Sequence, residues 1–181
     1  LLWTGLGSNL LVRDGGFPGT VIGIAGMLGG CRYIDDSTLR AEAGTACAKI
    51  ARINADNGYT GTEFLAGIPG TLGGALAMNA GAWGGETWDL VTRVETIDRQ
   101  GHLHVLGPNR FSVGYRSVTG PGDHWFIAAD LRLIRDPACG GRERIRALLA
   151  QRQATQPMGE PSCGSVFRNP PDDHAARLIE A

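Results

Sequence analysis

Short apolar runs of strand length recur along the chain at 1–4, 20–24, 32–35, 38–43, 90–98, 102–106 and 125–133. Asp36-Ser37 separates two of these runs and predicts a hairpin, and residues 99–101 predict the turn of another. In the last run Phe126, Ala128, Asp130 and Arg132 alternate with Ile127, Ala129, Leu131 and Leu133, which predicts a strand with one well-buried face. Helical spacing appears at 46–57, where Ile50 and Ile53 share an apolar face, Thr45 stands at the cap position and Gly58 at the terminating position. It appears again over 71–78, and over 143–153 through Ile145, Leu148 and Leu149. A further helix opens at 172–181, with acidic residues in its first turn to complement the dipole. Strands dominate the first 135 residues and helices the remainder, so the expected class is α+β. Asp136-Pro137 and Gly140-Gly141 punctuate the change, giving expected domains of 1–135 and 136–181.

Composition sharpens this picture in one respect. The 181 residues include 28 glycines, about twice the usual share, and nineteen of them precede residue 86. Glycine is concentrated in this way where backbone turns tightly or a ligand approaches it closely. The first half is therefore where a large ligand is expected. A net charge of -1 gives no broad footprint for nucleic acid. No apolar run reaches the roughly 18 residues of a membrane helix. The four cysteines form no CxxC pair and have no His-rich partner spacing, which disfavours a zinc site, and they read as free thiols in a reducing compartment. His102 and His104 project to one face of a strand and could bind metal, but edge histidines in water are the favoured reading. Leu1-Leu2 at the start and the helical run ending at Ala181 read as the two cut ends of a longer chain.

Four motifs carry candidate chemistry. Gly5-Leu6-Gly7-Ser8-Asn9 offers successive backbone N–H groups for an anion, and a diphosphate would fit; a tight surface turn is the equal alternative. It is neither a dinucleotide fingerprint, since Leu10 replaces the required glycine, nor a P-loop. The stretch 67–84 combines Gly67, Ile68, Pro69, Gly70, Thr71, Gly73 and Gly74 with Asn79, Ala80, Gly81 and Gly84. A helix starting near Thr71 would present unpaired N–H groups to a phosphate, or the glycines would serve close helix–sheet packing. Tyr115-Arg116-Ser117 supplies a forked cation suited to a carboxylate, or a solvated edge. Ser165, in Gly164-Ser165-Val166-Phe167-Arg168-Asn169-Pro170, lacks a nucleophile elbow and reads on its own as a turn or cap residue.

In this order the four motifs resemble the UDP-N-acetylenolpyruvoylglucosamine reductase (MurB) family, over essentially the whole chain. The resemblance implies a cytoplasmic enzyme of peptidoglycan precursor synthesis, expected as a monomer that binds neither nucleic acid nor membrane. It implies an FAD-binding domain of the vanillyl-alcohol-oxidase type, lacking its N-terminal part, followed by the beginning of a substrate-binding domain. FAD and NADPH are the implied cofactors and a UDP-sugar the implied substrate. Gly5, Gly7, Ser8, Asn9 and Leu10 match the pyrophosphate segment, and the residues named in 67–84 match the second flavin segment. Arg116 matches the cation near the substrate carboxylate, with Tyr115 beside it. Ser165 matches the proton donor. Asn169 and Arg152 match contacts to the substrate diphosphate. In the implied reaction the flavin N5 delivers hydride to C3 of the enolpyruvyl group, Arg116 stabilises the enolate-like charge and Ser165 protonates C2.

Against the family pattern, an N-terminal subdomain and a C-terminal stretch bearing a catalytic glutamate are expected to be missing. Thr155 and Arg168 stand where lysine is found in other members, which would retune diphosphate binding. Two other readings remain: another FAD-dependent oxidoreductase of the same superfamily acting on a sugar or alcohol, and a flavin-binding fragment without catalysis.

Overall fold

A computed structural model of the chain describes residues 1–156 and 166–180. Chain order begins with β1 (Leu2–Thr4) and β2 (Val21–Gly23), which pair in parallel. The expected hairpin follows as β3 (Cys31–Asp35) and β4 (Thr38–Glu42). Asp35 closes its turn by accepting from the Ser37 N–H at 2.7 Å. Then come α1 (Cys47–Asp56), the short β5 (Tyr59–Thr60), a 3₁₀ turn at Glu63–Gly67, and α2 (Leu72–Met78). A small hairpin of β6 (Gly81–Ala82) and β7 (Gly85–Glu86) precedes the long β8 (Val91–Ile97), which turns back into β9 (Leu103–Leu106). β10 (Ser112–Gly114) and β11 (Ser117–Thr119) form a further hairpin, followed by β12 (Trp125–Arg132) and β13 (Ile134–Arg135). Two helices end the described chain, α3 (Gly141–Thr155) and α4 (Ala175–Glu180).

The central sheet is antiparallel throughout, in the order β3-β4-β12-β8-β9. Leu39, Ala41, Val94, Ala129 and Leu131 point from it into one core with Ile50 and Ala51 of α1 and Leu72 and Leu76 of α2. This is the face that the alternation in β12 predicts. The opposite face is buried as well: Ala128 is fully covered and Asp130 is 3% exposed. Asp130 lies between Arg40 of β4 and Arg93 of β8, accepting from Arg93 Nε at 2.7 Å and Arg40 Nη1 at 3.4 Å. Arg40 also pairs with Glu95. A ladder of alternating charge thus crosses three strands where the sequence pattern suggests an open polar face. Buried charge is tolerated there because each group has partners.

Helix α1 corrects the expected cap. Thr45 Oγ1 donates to the Gly30 carbonyl at 3.1 Å, and Ala46 occupies the N-cap position with no side-chain bond. The buried side of α1 runs through Cys47, Ile50, Ala51, Asn54 and Ala55, while Ile53 lies at its margin. Asn54 is buried because Nδ2 donates to Thr62 Oγ1 and Oδ1 accepts from the Tyr33 hydroxyl, each at 3.2 Å. Gly58 does end the helix, in the left-handed region at φ +71°. Helix α3 packs on α1 and the 63–67 turn; its Ile145 joins the core, and Gly141 lies so close to Ala55 that a Cβ there would overlap it. Helix α4 starts later than expected, and its first turn carries no acidic residue. Asp173 precedes it and pairs with Arg177, and the Asn169 Oδ1 accepts from the Ala175 N–H at 3.1 Å.

Candidate functional site

The loop after β1, the turn before α2, the β6–β7 hairpin and the β10–β11 tip surround one cleft of about 1120 Å³. Residues 5–10, 67–71, 74 and 79–81 line it, with Gly84, Tyr115, Arg116, Arg152 and Asn169. Every candidate residue read from the sequence is in that set except two. Gly73 faces away from the cleft, and Ser165 lies outside the described residues.

The loop of residues 5–10 is shaped by β1. That strand is held by β2, whose following residue Ile24 donates to the Thr4 carbonyl at 2.9 Å. The chain then reverses through Gly7 at φ +72°, and Leu10 N–H donates back to the Gly7 carbonyl at 3.0 Å. Gly5 abuts Thr71 so closely that a Cβ would fall on the threonine hydroxyl. Thr71 is 2% exposed, and its Oγ1 has no hydrogen-bond partner among the described residues. A buried hydroxyl without a partner costs about 1–3 kcal/mol, so such a group marks a place where a ligand would supply the missing bond. Gly7, Gly74 and Gly84 would each carry a Cβ into open space, which leaves room there for a large ligand to lie against the backbone. A flavin dinucleotide fits these features: a wide cleft, small residues on its walls and an orphaned donor beside the first loop.

The start of α2 departs from expectation. Its first N–H groups are not free for phosphate: Leu72 donates to the Thr45 carbonyl at 2.9 Å and Gly73 to the Ala43 carbonyl at 2.8 Å. Gly73 is there for close packing, since a Cβ would come within 3.0 Å of the Ala43 Cβ. At the other end of α2, Asn79 sits in the left-handed region at φ +43°. Its side chain is committed internally, donating to Glu86 Oε2 at 2.7 Å and accepting from the Trp88 N–H at 3.2 Å. Asn79 therefore anchors the β6–β7 hairpin that forms one wall. Trp83, at the tip of that hairpin with φ +50°, lays its ring on Gly67 where a Cβ would clash. Trp83 is absent from the candidate residues read from sequence; the one signal for it is a single large aromatic inside a run of small residues.

Tyr115 and Arg116 form the two-residue tip joining β10 to β11, with Gly114 paired to Ser117. Arg116 takes φ +51°, a conformation costing a non-glycine residue about 1–2 kcal/mol. Strain of this kind persists where neighbours hold it. Arg116 Nη2 donates to Asn9 Oδ1 at 2.9 Å, and Nη1 lies 3.4 Å from the Phe167 carbonyl oxygen. Asn169 N–H lies 3.5 Å from the Tyr115 hydroxyl, so the 166–170 segment docks on this tip. Arg152, expected at a substrate diphosphate, lines the cleft and donates from Nη1 to the Gly67 carbonyl and from Nε to Gln156 Oε1.

His102, His104 and His124 gather elsewhere, whereas His174 Nδ1 lies 3.3 Å from Asn169 Nδ2. His104 Nε2 lies 2.8 Å from Asp98 Oδ2, and its ring stacks on His124 at 4.6 Å. The bond with His104, aided by the N–H groups of His102 and Gln100, holds the Asp98 carboxyl well below the usual range against its desolvation. Among the described residues no group of three His, Cys, Asp or Glu is placed to hold a metal. No described helix is long and apolar enough to cross a membrane.

Similarity to known proteins follows the same features. The chain is 61% identical over 181 residues to the UDP-N-acetylenolpyruvoylglucosamine reductase of Alkalilimnicola ehrlichii and 59% identical to that of Methylococcus capsulatus. It is matched in full but spans about 60% of the length of each. The crystal structure of UDP-N-acetylenolpyruvylglucosamine reductase (MurB) from Thermus caldophilus superposes with a TM-score of 0.80 at 33% identity, covering 98% of this chain and 64% of that one. An alkyldihydroxyacetonephosphate synthase, 16% identical, shares the fold with a TM-score of 0.51 over 76% of this chain and 28% of its own. The expected α+β class and FAD-binding fold are thus the observed ones. The model of the FAD binding domain matches residues 1–107, which is more than half of the chain and includes both glycine-rich walls of the cleft, and the chain therefore belongs to the FAD-binding domain family.

Proposed function

We propose that this chain is the cofactor-binding part, with the beginning of the substrate-binding part, of an NADPH-dependent UDP-N-acetylenolpyruvoylglucosamine reductase. Such an enzyme forms UDP-N-acetylmuramate for peptidoglycan in the cytoplasm. The observation that carries the reading is the cleft itself, where glycine-lined walls and an arginine-tipped hairpin face one space and the wall holds the orphaned Thr71 hydroxyl. Residues 136–181 are read as the start of the substrate domain.

Bound FAD would supply the redox chemistry, accepting hydride from NADPH and passing it to the enolpyruvyl carbon. Residues 5–10 and Thr71 would hold the diphosphate, and Gly74 and Gly84 would admit the ring system. Arg116 presents a permanent cation at the cleft edge, which suits a substrate carboxylate gaining charge as the double bond is reduced. In a water-poor cleft this attraction is stronger than in bulk solvent. Asn169 and Arg152, which line the same cleft, would contact the sugar nucleotide. Ser165 is assigned the proton donated to C2.

The test uses the full-length protein. It should purify with FAD, be reduced by NADPH under anaerobic conditions, and be reoxidised by the enolpyruvyl sugar nucleotide. The Ser165→Ala variant should be reduced normally and fail to reoxidise. Reoxidation by simple sugars or alcohols in place of the nucleotide would overturn the reading.

A further inference from the structure

We infer that Asn9 is a positioning residue for Arg116, tying the loop that faces the cofactor diphosphate to the cation that faces the substrate. The two residues are 107 positions apart, and the guanidinium Nη2 donates to Asn9 Oδ1 at 2.9 Å. The orientation of the amide follows from chemistry: a guanidinium only donates, so the carbonyl oxygen of Asn9 faces it and the NH₂ group is turned elsewhere. This bond gives Arg116 a fixed direction, beside the approach of its Nη1 to the Phe167 carbonyl oxygen at 3.4 Å. Arg116 sits on a two-residue hairpin tip at φ +51°, and its long side chain has many rotamers. Asn9 is well placed to give that direction, because its loop is closed by the Leu10 N–H to Gly7 carbonyl bond and lies against Thr71 through Gly5. Ordering of residues 5–10 by an anion would therefore also fix the acceptor that aims Arg116. Cofactor loading and substrate-carboxylate recognition would be linked through one side chain.

This inference rests on the proposed reaction for its kinetic arm, so a second arm is independent of it. In the full-length holoenzyme at saturating FAD, Asn9→Ala should slow flavin reoxidation by the enolpyruvyl nucleotide about 10-fold, the loss of one charge-assisted hydrogen bond, and should slow it more than it slows reduction by NADPH. Asn9→Asp keeps an acceptor for Arg116 and should restore most of the rate. In an Arg116→Ala background, Asn9→Ala should add less than about 2-fold. The independent arm is ¹⁵N NMR of arginine-labelled apoprotein and holoprotein, with Arg116 assigned by its loss in Arg116→Ala. Its side-chain N–H signals should be protected in the wild type, more so with FAD, and should broaden or vanish in Asn9→Ala. Equal slowing of both half-reactions, a full Asn9→Ala effect without Arg116, or unchanged Arg116 signals in Asn9→Ala would each overturn the positioning role. Failure of the wild-type flavin to be reoxidised by the nucleotide, with the NMR result intact, would overturn the reaction and not the Asn9–Arg116 link.

Discussion

Gly5 lies directly against Thr71, leaving no space for a Cβ between its backbone and the threonine hydroxyl. That hydroxyl is buried and lacks a hydrogen-bond partner among the described residues. One pair of residues thus joins the two glycine-rich segments, which are far apart in sequence, and leaves a buried donor in the wall of the cleft they share.

Thr71→Val should therefore have effects of opposite sign on the two states. Valine keeps the shape and removes the orphaned hydroxyl, so the apoprotein should melt no lower than the wild type. FAD affinity should fall by about 5–10-fold, the worth of one hydrogen bond. Differential scanning fluorimetry of the apoprotein and fluorescence titration with FAD check the two signs. Equal loss in both measurements would sink the idea.

The ladder through Asp130 gives a prediction about stability alone. Asp130→Ala leaves Arg93 without its carboxylate and Arg40 with Glu95 only. The expected cost is about 2–3 kcal/mol in urea unfolding, because a nearly buried charge partner is lost. Asp130→Asn retains shape and one acceptor and should cost about half as much. The cleft proposed for the flavin is not lined by these residues, so FAD affinity corrected for the folded fraction should not change.

Much of this fold was legible because its elements announce themselves locally. The alternation in β12, the Asp36-Ser37 turn and the Gly58 stop each need only a few neighbouring residues. What was not legible depends on distant partners. Thr45 looks like a helix cap until the Gly30 carbonyl, fifteen residues upstream, captures its hydroxyl. Nothing local in the sequence brings Arg40 and Arg93 to Asp130, or Thr62 and Tyr33 to Asn54. In the cleft the motif residues were visible as a set, but their roles were not. Gly73 and Gly74 are indistinguishable in sequence, and Asn79 looks like a ligand contact although its amide is bound to Glu86 and Trp88.

Acid sensitivity should centre on Glu63, which is 8% exposed. Burial opposes its charge, but bonds from the backbone, Arg144 and Thr60 outweigh that and hold its carboxyl below the usual range. Asp136, bound to the same guanidinium at 2.5 Å, is lowered chiefly by Arg144 as well. A lowered folded-state pKa means that the stabilisation is complete above the unfolded carboxylate value, near pH 4–4.5, and is lost as pH falls through the lower folded-state values. Urea midpoints should therefore drop as pH is taken from about 5 toward 3. Arg144→Met should lower the midpoint at pH 7 and flatten that dependence. An unchanged slope in the variant would remove Arg144 as its origin.

Adjacent glycines in α2 should respond oppositely to the same substitution. A Cβ on Gly73 would come within 3.0 Å of the Ala43 Cβ and 3.2 Å of its carbonyl oxygen, so helix and sheet must part slightly. Gly73→Ala should destabilise by about 1–2 kcal/mol, the usual scale of overpacking, and weaken FAD binding only through that shift. A Cβ on Gly74 meets nothing within 4 Å and points into the cleft. Gly74→Ala should stabilise the apoprotein by up to about 1 kcal/mol, the helix-propensity difference between alanine and glycine. It should also weaken FAD, because the added methyl takes space that the ligand would use, and Gly74→Leu should abolish binding while the apoprotein still folds. Melting temperature and FAD affinity measured on the same three variants separate packing from ligand clearance. If Gly74→Leu bound FAD as the wild type does, the cofactor would not lie along this side of α2.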